Sequence, residues 1–132
     1  MILFVDDEPE YIENYEIALE ESAFDVEAIS DVDEALDFVK ENKKKIDGIV
    51  LDIMMSFGHY FDEQETAQGT RTGISFYKKI REMLPKIPVF VLTNVSDHKV
   101  EEYFETQENC YYYYKKKPFE FAKFVRNKLG TS

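Results

Sequence analysis

One pattern constrains this 132-residue chain more than any other: short apolar runs, each cut off by a polar or charged residue, alternate with longer segments of helical periodicity. Ile2-Leu3-Phe4-Val5 stops at Asp6-Asp7-Glu8, and residues 46–51 stop at Asp52. Pro88-Val89-Phe90-Val91-Leu92 stops at Thr93-Asn94, and 111–114 stops ahead of Lys117-Pro118. Unbroken apolar runs of this length are what strands buried on both faces look like. The segment 24–29, which alternates apolar and acidic residues, predicts a strand near a sheet edge.

Helical spacing fills the gaps. Pro9 opens a helix that runs to about residue 22, with Tyr11, Ile12, Tyr15, Ala18 and Leu19 on one stripe. Asp31 followed by Glu34 resembles a capping box ahead of Ala35, Leu36 and Val39. A third helix is expected from Gly73 to Pro85, a polar one over 97–106, and a last one over 119–129 with Phe121, Phe124, Val125 and Leu129 inward. Strands alternating with helices predict an α/β domain with a parallel sheet covered on both faces. No composition shift divides the chain, so residues 1–132 read as one domain.

The bulk properties narrow the function. A net charge of −11 opposes direct DNA binding, which rests on phosphate contacts. The apolar runs are too short to span a membrane, and Met1 leads directly into a strand-like run without a signal peptide. Cys110 is the only cysteine, so no intramolecular disulfide is possible, which suits a cytoplasmic protein.

Ligands of parallel α/β sheets bind at the carboxyl ends of the strands. There the chain collects Asp6, Asp7, Asp52, Thr93 and Lys117. Each alone has an ordinary reading as a turn residue or helix cap; their convergence on one sheet edge does not. The motifs Val5-Asp6-Asp7-Glu8, Val50-Leu51-Asp52-Ile53-Met54-Met55, Val91-Leu92-Thr93 and Lys117-Pro118-Phe119 resemble those of the response-regulator receiver family, in the family's order.

That resemblance implies a flavodoxin-like (βα)5 fold, doubly wound, with strand order 2-1-3-4-5. It implies that Asp52 is the phosphoacceptor. Asp7, Asp52 and the backbone carbonyl of Met54 would bind Mg²⁺, with Asp6 acting mainly through water. Lys117 and the Thr93 hydroxyl would each contact a phosphoryl oxygen, and Thr93 with Tyr114 would form a conformational switch. The expected partners are a histidine kinase or histidine phosphotransfer protein and a downstream protein target. Such a module catalyses its own phosphorylation and slow dephosphorylation without being a conventional enzyme.

The chemistry agrees with this. A carboxylate of ordinary pKa is ionised at neutral pH and attacks phosphorus without a general base. Three carboxylates about 5 Å apart repel by roughly 3 kcal/mol per pair at an effective dielectric near 20, and hard oxygen donors suit Mg²⁺. Two other functions compete. A haloacid-dehalogenase-type phosphohydrolase also uses an aspartyl nucleophile, Mg²⁺ and a lysine, but needs two aspartates separated by one residue after strand one, unlike Asp6-Asp7-Glu8-Pro9. A scaffold independent of phosphorylation would not need every reactive position filled.

The chain also departs from the family. The stretch from residue 53 to 72 far exceeds the usual βα loop of about 2 to 6 residues. We expect an insertion over about 56–72, with Ser56 where the family commonly has proline and with Phe57, Tyr60 and Phe61 as candidate anchors or a lid. Asn94 replaces a smaller residue after the switch threonine. His59, His98 and Cys110 carry no site, and Lys115 and Lys116 read as a solvated strand end.

Overall fold

The computed structural model describes residues 1–6, 9–51, 72–93, 98–114 and 117–129. Strands β1 (Ile2–Val5), β2 (Val26–Ile29), β3 (Gly48–Leu51), β4 (Val89–Thr93) and β5 (Cys110–Tyr114) form one sheet in the order β2-β1-β3-β4-β5. Every pairing is parallel. Helices α1 (Pro9–Glu21), α2 (Val32–Glu41), α3 (Thr72–Met83), α4 (His98–Glu105) and α5 (Pro118–Leu129) alternate with the strands. The predicted architecture and strand order are therefore those observed.

Side-chain alternation along the strands divides the core into two clusters, because successive residues of a strand face opposite sides of the sheet. Leu3, Val5, Ile49, Leu51, Val89, Val91 and Cys110 pack with buried residues of α2, α3 and α4. Ile2, Phe4, Val50, Phe90 and Leu92 pack with Tyr15, Ala18 and Leu19 of α1 and Phe121, Ala122 and Val125 of α5. Phe90 anchors the second cluster, with Tyr111 stacked on it at 5.3 Å and Phe121 and Phe124 edge-on at 6.4 and 6.1 Å. β3 opens on Gly48 because the layers meet closely there. A Cβ at that position would lie 3.3 Å from Ile2 Cδ1 and 3.5 Å from Leu129 Cδ2.

Several element boundaries differ from expectation; β3, for one, begins at Gly48 rather than at residue 46. The strand expected over 24–29 begins only at Val26, because α1 ends in a Schellman turn. The Phe24 N–H donates to the Leu19 carbonyl at 3.2 Å and the Ala23 N–H to the Glu20 carbonyl at 3.1 Å. Ala23 takes the left-handed conformation, φ 72°, that such a turn requires. β5 starts one residue early, at Cys110, which is buried. Burial pushes its thiol up to about 12, so it stays protonated and inert at neutral pH.

Asp31 caps α2, but not through the capping box expected with Glu34: it is in extended conformation and its carboxylate accepts from the Asp33 N–H at 3.1 Å. Asp31→Ala should cost about 1 kcal/mol in a denaturant titration, since it leaves that N–H without its side-chain acceptor. A change below about 0.3 kcal/mol would show that solvent replaces the cap fully.

Candidate functional site

The carboxyl edge of the sheet is built by strand register. β1 and β3 are neighbours, and Val5 pairs with Leu51, the residue that precedes Asp52 in sequence. Asp6 follows Val5 directly, with its N–H donating to the Ile29 carbonyl of β2 at 3.3 Å. The residue is only 1% exposed. A carboxylate this buried is stable only when partnered, and Asp6 does engage other groups in the fold. The aspartates that sequence reasoning placed beside it, Asp7 and Asp52, lie outside the described residues, as does Met54. Asn94, His59 and all of the 56–72 insertion except Thr72, which opens α3, also lie outside them.

Farther along the same edge, Thr93 ends β4 and Tyr114 ends β5. The two are Cα partners in the ladder, so the pair nominated as a switch shares one rung of the sheet. Lys117 begins the connection into α5. Its side chain is 77% exposed and its Nζ lies 3.8 Å from a Glu120 carboxylate oxygen, one helical turn on. An exposed pair of this kind is worth at most a few tenths of a kcal/mol. Lys117 can exchange that partner for a stronger anion at little cost. Sequence reasoning did not pick out Glu120, although the i, i+3 spacing was there to be seen. Glu120→Gln should shift unfolding stability by less than about 0.5 kcal/mol in urea; a larger loss would mean the pair is structural.

Sequence reasoning also missed Arg81, at the opposite edge of the sheet. Its Nε donates to the Tyr77 hydroxyl at 3.1 Å, and Nη1 donates to the Ile87 carbonyl at 2.6 Å and to the Leu84 and Pro85 carbonyls at 3.3 Å. Nη2 reaches the carbonyls of Glu108 at 3.1 Å and Asn109 at 3.3 Å. One guanidinium thus fastens the end of α3 to the turn that enters β5. Its partners are mostly backbone carbonyls, which leave no mark in a sequence.

Residues 2–126 match the model of the response regulator receiver domain. The chain belongs to that family. A two-component response regulator from Clostridium difficile shares its fold with a TM-score of 0.78 at 21% identity, covering 98% of this chain and 95% of that one. The receiver domain of NtrX from Brucella abortus superposes with a TM-score of 0.76 at 19% identity over 100% of both chains. The chemotaxis protein CheY4 of Vibrio cholerae gives 0.72 at 20% identity, covering 96% and 95%. No curated protein shows a significant sequence match. The receiver domain described here belongs to two-component signalling, and among its described residues no helix is long and apolar enough to cross a membrane.

Proposed function

We propose that this receiver accepts a phosphoryl group on Asp52 from the phosphohistidine of a histidine kinase or phosphotransfer protein. The observation that carries this reading is the family match over residues 2–126, joined to a register that sets the end of β1 beside the end of β3. An ionised Asp52 oxygen attacks phosphorus, the P–N bond of the donor breaks, and the imidazole leaves and takes a proton from solvent. The Asp52 acyl phosphate is later hydrolysed, which restores the carboxylate.

The donor set at this edge fits a hard divalent cation. Asp6 is a buried carboxyl at the end of β1, Asp7 follows it in sequence, and Asp52 follows β3. Asp7, Asp52 and the Met54 carbonyl would hold Mg²⁺, with Asp6 acting through water. Bound there, the ion offsets the crowded negative charge of carboxylates and phosphoryl oxygens. Lys117 leaves Glu120 and pairs with a phosphoryl oxygen, while the Thr93 hydroxyl donates to another.

That hydrogen bond is the start of the output. Phosphorylation adds up to about two negative charges and biases Thr93 toward the site. The shared rung of Thr93 and Tyr114 supports passing the shift from β4 to β5. A downstream protein then reads the changed surface of a cytoplasmic domain, without direct DNA binding by this chain. Thr93→Ala should still be phosphorylated, but the NMR shifts that phosphorylation induces near Tyr114 should collapse. Undiminished shifts would remove Thr93 from the switch. The site itself is tested by incubation with a small-molecule phosphodonor and Mg²⁺, which should add one phosphoryl group by mass spectrometry.

A further inference from the structure

The turn from α2 into β3 carries Lys43, Lys44 and Lys45 in succession, all exposed, on a chain whose net charge is −11. The fold makes no visible use of their charge. Asn42 already closes α2: its N–H donates to the Phe38 and Val39 carbonyls at 3.0 and 3.3 Å, and its side-chain amide donates to the Phe38 carbonyl at 2.9 Å. The turn itself is held by the backbone, through the Lys45 N–H on the Asn42 carbonyl at 2.9 Å. None of the three lysines has a positive φ, so the backbone there demands no particular residue. A cation complements a helix dipole only within the last turn, where α2 already has Lys40. Among the described residues the three ammonium groups make no ion pair, not even with the exposed Glu41 and Asp47 that bracket them.

We propose that Lys43, Lys44 and Lys45 form a docking surface for an acidic peptide segment of a partner protein. Like charges side by side repel, and carboxylates brought from outside relieve that repulsion. Three or more carboxylates within about five residues of extended chain, at about 3.3 Å per residue, would match the run.

Residue type and surroundings select a peptide over other polyanions. Bidentate recognition of phosphate favours arginine, and phosphates settle at helix N-termini, whereas this turn follows a helix C-terminus and holds lysines alone. A nucleic acid or an anionic membrane is also too extensive to meet the lysines without meeting the acidic remainder. α1 alone carries five glutamates and no basic residue. With a Debye length of about 8 Å at physiological salt, a short segment feels mainly the charges it touches. The turn enters β3 at the end opposite Asp52, with the four residues of the strand, roughly 13 Å, between them. A partner seated there leaves the carboxyl edge of the sheet open.

The test uses the unphosphorylated full chain, so it does not depend on the chemistry of Asp52. Fluorescence anisotropy of labelled octaglutamate should show saturable, submillimolar binding at about 50 mM salt and loss of it at about 500 mM, while octaglutamine does not bind. Changing Lys43, Lys44 and Lys45 together to Gln should weaken binding by about tenfold or more. Changing the exposed Lys78, Lys86 and Lys123 to Gln removes the same net charge and should leave affinity within about twofold. Should the first triple variant fail to fold, Lys44→Glu alone decides, with a loss of about threefold expected. No binding by wild type, or equal losses in the two triple variants, overturns the proposal. So does tighter binding of a short oligothymidylate, or of vesicles of mixed phosphatidylcholine and phosphatidylserine, since the partner would then be a nucleic acid or a membrane.

Discussion

Asp52→Asn takes up no phosphoryl group from a small-molecule phosphodonor under conditions in which the wild type gains one. An amide oxygen carries no negative charge to offer phosphorus, and with Asp52 as the proposed acceptor neither Asp6 nor Asp7 is expected to take over. The bond formed on the wild type is an acyl phosphate, so the added mass should survive acid and disappear in mild base. The Asn variant should fold normally, since the strand that leads to residue 52 is held by four rungs to β1 and three to β4. Uptake by the Asn variant at the wild-type level would move the acceptor elsewhere. Labelling of neither protein, with Mg²⁺ present, would count against phosphorylation altogether.

The second expectation concerns charge crowding. If Asp6, Asp7 and Asp52 sit within about 5 Å of one another, each pair costs roughly 3 kcal/mol at an effective dielectric near 20. A cation that binds only the folded state then stabilises it by about 2.7 kcal/mol at a hundredfold excess over Kd. For a domain of this size that raises the melting temperature by about 10 °C. Asp7→Asn should lose most of this response to Mg²⁺. Without metal it should melt above wild type, since one charge has left the crowd. A metal-free melting point at or below that of wild type would show that the three carboxylates are not crowded.

The fold was legible because this chain punctuates it plainly. Each buried strand is an uninterrupted apolar run, and the polar residue that ends it also marks the edge proposed to be functional, as at Val5-Asp6 and Leu51-Asp52. The strand order could not be read from periodicity and came from the family likeness. Less legible were features made by the backbone. Ala23 closes α1 where glycine would have announced the turn, so Phe24 and Asp25 read as strand. Arg81 looked like one of many surface charges because carbonyl partners are invisible in a sequence. Lys117 was picked out for its chemistry, yet its resting partner Glu120 is set by the helix that starts at Pro118. Asp6 is the aspartate of the set whose surroundings are described, and it is buried.

The Arg81 strap has a mechanical consequence. It holds the turn at Glu108 and Asn109 against the end of α3, and the Asn109 side chain adds a bond to the Lys86 carbonyl at 3.5 Å. The entrance of β5 is therefore anchored at the edge of the sheet far from Thr93 and Tyr114. Under the switch proposed above, a strand fixed at one end and pulled at the other would tilt rather than slide, making β5 a lever whose fulcrum is Asn109. Its displacement would be greatest at Tyr114, so a small shift of Thr93 would be delivered where the strand leaves the sheet, while the packing around Cys110 stays still.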